Sequence, residues 1–97
     1  MTHFGIVSMI NAIPAPQKDV AYTIIDGSAI VVAPRDSKLY WLNPVATRVW
    51  ELADGKNTVG MIAERICGEY EVDFATALHD AGDMVQAFEQ NRLFALA

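Results

Sequence analysis

"VAYTIIDGSAIVVAPRDSKLYWLNP" (residues 20–44) decides the fold. Val20 to Ile25 and Ala29 to Ala33 are rich in β-branched residues, and Asp26-Gly27 stands between them. Glycine accepts a positive φ without a Cβ clash, so an Asp-Gly step between two such runs is a strong hairpin signal. Pro34 ends the second run because it has no N–H to give to a ladder. "RDS" (35–37) then supplies turn chemistry before a third run, Lys38 to Leu42. Two short connections in succession make a three-stranded antiparallel meander. The third strand of a meander has a neighbour on one side only, so Lys38 to Leu42 is expected at an open edge. Side chains alternate along a strand, so Tyr40 and Trp41 face opposite sides of it. One packs inward on helices, and the other lies on the far face of a thin sheet, within reach of water.

Three helices follow. Asn43 suits an N-cap and Pro44 the first helical position, where its missing N–H costs nothing. Val45, Val49, Leu52 and Ala53 recur at helical spacing until Asp54-Gly55 stops the run. Thr58 caps the second helix, with Val59, Ile62, Ala63, Ile66 and Tyr70 on one face. The third begins after Asp73 and carries the widest stripe: Phe74, Ala77, Leu78, Ala81, Met84, Val85 and Phe88. Such a stripe belongs to a helix buried along one side. Three strands followed by three helices predict an α+β fold, winged-helix-like, with the meander first. Upstream, Pro14-Ala15-Pro16 breaks regular structure and marks where the domain proper begins. Residues 17–97 are read as the domain and residues 1–16 as a tail or an extra strand. "FGIVSMI" (4–10) is the part that would form that strand or cover an apolar groove. The closing "RLFALA" (92–97) is apolar again and reads as a short strand or a terminal clasp.

A chain of 97 residues suits one domain with a modest core, and 53% hydrophobic against 20% charged residues reads as globular. Seven Lys and Arg against twelve Asp and Glu leave a net charge of −5. Nucleic-acid binding needs clustered cations to replace counterions, and none cluster here, so no nucleic-acid partner is expected. No run approaches the roughly 20 apolar residues of a membrane helix, and the opening lacks the basic start of a secretory signal. No membrane partner is therefore expected. The lone Cys67 has no internal disulfide partner, which fits the cytoplasm, and it reads as a structural thiol because no His-Asn or His-Asp pattern accompanies it. His79 stands beside Asp80, but adjacent helical residues point about 100° apart, so the two make no dyad. No metal-ligand spacing and no phosphate loop occur, so neither cofactor, metal nor enzymatic activity is expected. Trp41 and Trp50 are candidates for the core.

Within 29–96 the segments "AIVVAPRDSKLYWLNPVATRVWELADGKNTVGMIAERICGEYEVD" and "LHDAGDMVQAFEQNRLF" resemble the PqqD-like family, the RiPP recognition elements. The carrying residues are Tyr40, Leu42 and Asn43 at the end of a strand, Ala46 and Trp50 in the first helix, then "LADG" and a "TV" helix start. Tyr70 and Asp73 before the last helix complete the set. The resemblance implies a non-catalytic chaperone. It would bind the leader of a ribosomally made precursor peptide by strand addition and present it to a radical SAM or other peptide-modifying enzyme. By the same resemblance, the leader would lie on Lys38, Leu39, Tyr40, Trp41 and Leu42 and against Leu78, Ala81, Met84, Val85 and Phe88. Two positions depart from the family's habit: Asp80-Ala81, where an acidic-hydrophobic pair is common, and Arg92-Leu93, where Gly-Leu is common. Ala81 would reshape the groove, and Arg92 would pair with an acidic leader residue. The competing readings are a winged-helix DNA-binding regulator and a homodimeric adaptor module. The former predicts a basic helix, whereas the third helix is acidic and apolar.

Overall fold

The computed structural model describes residues 9–33 and 37–97. After a short 3₁₀ turn at Met9–Asn11, the chain forms β1 (Pro14–Pro16), β2 (Ala21–Ile25), β3 (Ser28–Ala33) and β4 (Lys38–Trp41). It continues through α1 (Pro44–Leu52), α2 (Val59–Tyr70), α3 (Phe74–Gln90) and β5 (Phe94–Leu96). The architecture is α+β. One antiparallel sheet has the order β2-β3-β4, and β1 and β5 make a separate two-stranded ribbon.

The meander forms as its turn chemistry dictates. Asp26 and Gly27 both take positive φ, 53° and 81°, and Ile25 pairs with Ser28. This is the type I′ geometry whose twist matches that of the strands it joins. Pro34 and most of the "RDS" turn fall outside the described residues. On β3, Ala29, Val31 and Ala33 are buried, whereas Ile30 and Val32 are not. Opposite residues share a face, so the register Val31↔Tyr40 turns Tyr40 inward, and Ile30↔Trp41 turns Trp41 outward.

The helices begin where a side chain satisfies an orphan N–H. Asn43 Oδ1 accepts from the Ala46 N–H at 2.8 Å, Thr58 Oγ1 from Met61 at 3.1 Å, and Asp73 Oδ1 from Thr76 at 2.7 Å. The core gathers around Trp50, which stacks on Phe94 at 5.0 Å between centroids. Tyr22 and Phe88 meet it edge-on at 5.6 and 5.8 Å. Tyr70 and Phe74, each expected on an apolar stripe, are instead 40% exposed, at the last residue of α2 and the first of α3.

Pro14-Ala15-Pro16 does not break regular structure but is itself β1. Ile13 and Ala97 exchange backbone hydrogen bonds at 3.2 and 3.0 Å, so Ala15↔Ala95 is the next bonded pair. Both prolines then occupy positions whose N–H would point away from β5, where proline costs nothing. The Pro14 carbonyl accepts from Gly55 N–H at 3.0 Å, and the Ala12 carbonyl accepts from Val59 N–H at 2.9 Å. Gly60 admits Ile10, since a Cβ there would lie 3.0 Å from Ile10 Cγ1. Residues 9–16 are thus built into the fold. The strand or groove-covering role expected of "FGIVSMI" falls mainly on residues outside those described.

Among the described residues Thr47 is the buried polar one, 3% exposed. Its hydroxyl accepts from Ala29 N–H at 2.8 Å and donates to the Leu42 carbonyl at 3.3 Å, so α1 supplies the end of the β3–β4 ladder. Thr47→Val keeps the shape but orphans a buried N–H. It is expected to cost about 1–3 kcal/mol, read from a urea midpoint. An unchanged midpoint would contradict this role.

Arg48 ties α1 to α2 through one guanidinium edge, Nε and Nη2 reaching the two Glu69 oxygens at 2.8 and 2.9 Å. That hydrogen bond is the main reason the Glu69 carboxyl lies below its usual range. Asp54 is lowered chiefly by the Lys56 backbone N–H, and Asp73 by that of Thr76. A carboxyl depressed in the folded state stabilises above its unfolded value and loses that contribution as pH falls through the folded one. Stability is therefore expected to hold near neutrality and to decline as pH drops through and below about 4. A urea midpoint that stays constant over that acid range would contradict the assignment.

Candidate functional site

Among the described residues no strand pairs with the second side of β4, which ends the sheet. The Leu42 N–H donates to the Ala29 carbonyl at 2.8 Å, so this pair and every second pair from it are the bonded ones. Lys38 and Tyr40, opposite Ala33 and Val31, therefore turn their backbone groups into the sheet. Leu39 and Trp41 turn theirs outward, each presenting one N–H and one C=O to the open edge. Among the described residues the same two are the most exposed large hydrophobic ones, 61% for Leu39 and 69% for Trp41.

The other expected site residues divide clearly. Lys38 is exposed, Tyr40 half-buried and Leu42 buried. On α3, Leu78 and Met84 are half-buried and pack, with Tyr40, against the one core cluster. Ala81 and Val85 are 1% and 0% exposed and belong to that core, as does Phe88. Phe88 is joined through Trp50 to Tyr22 of β2, the strand at the opposite edge. Arg92 is exposed, in a left-handed turn with φ of 62°. Tyr40 Oη is buried with no hydrogen-bond partner.

Sequence reasoning passed over Ile30 and Val32, which share the outward face with Trp41 and Leu39. The alternation of β3 signals them, but the register across the turn is needed to set them beside β4. Cys67 is half-buried and unbridged. His79 is exposed, with Nδ1 3.4 Å from Asp83. Among the described residues, no group of three or more His, Cys, Asp or Glu is placed to hold a metal, and no helix is long and apolar enough to cross a membrane.

The three-stranded meander, with β2 and β4 at its two edges, and the three capped helices make a small α+β scaffold. Comparison places it more closely: the model for Coenzyme PQQ synthesis protein D (PqqD) matches residues 28–93, and the chain belongs to that family. Among solved structures, TbiB1 in complex with the TbiA(beta) leader peptide is similar, with TM-score 0.77 and 25% identity over 82% of this chain and 93% of that one. The PqqD truncation of Methylobacterium extorquens PqqCD, a functional and stand-alone RiPP recognition element, has TM-score 0.70 and 26% identity over 84% and 87%. Lasso peptide synthetase B1, complexed with its leader peptide, shares the fold with TM-score 0.77 at 17% identity, over 86% and 98%. No curated protein matches the chain.

Proposed function

We propose that this chain is a non-catalytic chaperone that binds the leader of a ribosomally made precursor peptide by adding it as a strand to β4. It presents that peptide in the cytoplasm to a modifying enzyme, a radical SAM protein or another peptide-modifying one. The observation that carries the proposal is the outward-facing backbone of Leu39 and Trp41 at an edge with no strand beside it among the described residues. The leader complexes of TbiB1 and lasso peptide synthetase B1, on the same fold, support it.

Backbone pairing binds extended peptide with little regard to sequence, each hydrogen bond being worth about 0.5–1.5 kcal/mol net. Side chains must supply the choice of partner and offset the entropy of ordering a disordered leader. Lys38 to Leu42 form one wall. In this reading Leu78 and Met84, half-buried on α3, supply the other, backed by Ala81, Val85 and Phe88. The flexible thioether of Met84 suits it to varied apolar anchors.

Titrating the protein with the leader of a precursor peptide encoded beside its gene tests the reading. Saturable binding with a blue shift of the exposed Trp41 emission is the expected result. A leader that gives no heat and no spectral change at high concentration would defeat it.

A further inference from the structure

We infer that the peptide recognised at β4 carries apolar side chains on both faces of its strand, and that Leu39 and Trp41 select those on the face turned away from the helices. The inference rests on the strand-addition reading and adds a specificity rule to it.

The outer sheet face lacks a covering layer among the described residues. Ile30 and Val32 pair with Trp41 and Leu39 across β3–β4, yet Val32 is 40% exposed and the two β4 side chains more so. No side chain on this face of the three strands is charged. Edge strands are ordinarily guarded by charge, and the one cation of β4, Lys38, lies in the inward row opposite Ala33. The outward row of this edge, where the exposed Leu39 and Trp41 follow one another, thus carries no charge, Lys38 on the inward row being the charged residue of β4.

Strand geometry names the occupant. Leu39 and Trp41 own both the free backbone groups and the outward side chains. A peptide that bonds to them sets its own outward side chains about 5 Å away on the same face. Contact with a Trp and a Leu favours aromatic or β-branched residues there and penalises charge. On the inward row the guest position beside Tyr40, which packs on the core, favours an apolar residue as well, while Lys38 stands at the far end of that row. A leader that alternates apolar with charged residues would satisfy the inward wall and fail at the outer one.

A random-peptide display library selected on the full chain, with a representative winner then synthesised, tests the rule. The expected winners carry apolar residues at both parities of the paired segment. Trp41→Thr, which retains strand propensity, should weaken the synthetic peptide about tenfold, with Leu39→Thr acting in the same direction. Serine at the facing peptide position should cost as much, and little more when combined with Trp41→Thr, because both changes remove one contact. An unchanged amide spectrum away from β4 confirms that the variants remain folded.

Winners apolar at a single parity, with affinity indifferent to Trp41→Thr, would overturn the rule while leaving strand addition intact. A library that yields no binder would overturn both. A dimer that dissociates in Trp41→Thr would give the face to a second copy and overturn the rule as well.

Discussion

Leu39→Pro is expected to weaken peptide binding on the order of a hundredfold while the domain stays folded. The Leu39 N–H points away from β3, so proline removes no bond of the protein's own sheet and places its ring where the guest strand would sit. Tyr40→Pro, one residue along, is expected to do the opposite. It deletes an N–H committed to the Val31 pair and an inward side chain packed on the core, so the fold itself should fail. Calorimetry for binding and circular dichroism for folding separate the two. Equal effects from the two prolines would mean that the parity of the edge is misassigned.

Trp50→Ala should cost about 3–5 kcal/mol, a large share of the roughly 5–15 kcal/mol of a typical domain. Trp50 is 2% exposed and joins four elements: its own helix α1, β2 through Tyr22, α3 through Phe88, and β5 through Phe94. Removing it leaves Phe88 and Phe94 edge-to-face at 5.2 Å around a void. For a domain of this size the melting temperature should drop on the order of 20 °C. Trp41→Ala, at 69% exposure, should shift the melt hardly at all. A thermal scan in which the two variants melt together would contradict the division of roles between the tryptophans.

Much of this arrangement is legible from the residues. Asp26-Gly27, Asn43-Pro44, Thr58 and Asp73 each do locally what their chemistry favours, so the meander and all three helix starts follow from short-range rules. The edge position of Lys38 to Trp41 also follows, because a meander leaves its first and last strands with one neighbour each, whereas Leu42, read as part of the same open run, is buried. Other features depend on pairing parity, which only tertiary structure provides. Pro14 and Pro16 read as breakers because nothing local reveals that their missing donors face away from β5. Thr47 reads as an ordinary helical threonine until Ala29 N–H and the Leu42 carbonyl arrive from the sheet. A resemblance supplies the helix positions expected of the site, but a stripe as wide as that of α3 does not separate Ala81 and Val85, which are core, from Leu78 and Met84, which remain partly open. Which of Tyr40 and Trp41 faces inward is likewise decided by register.

The most direct measurement is amide hydrogen exchange along β4 in the free protein and in the presence of saturating leader peptide. Slow exchange at Tyr40 in both states is predicted, with Leu39 and Trp41 fast when free and slowed severalfold or more on binding, as expected for newly bonded edge amides. Leu39 and Trp41 amides already slow in the free protein, or still fast when the peptide is bound, would contradict the account.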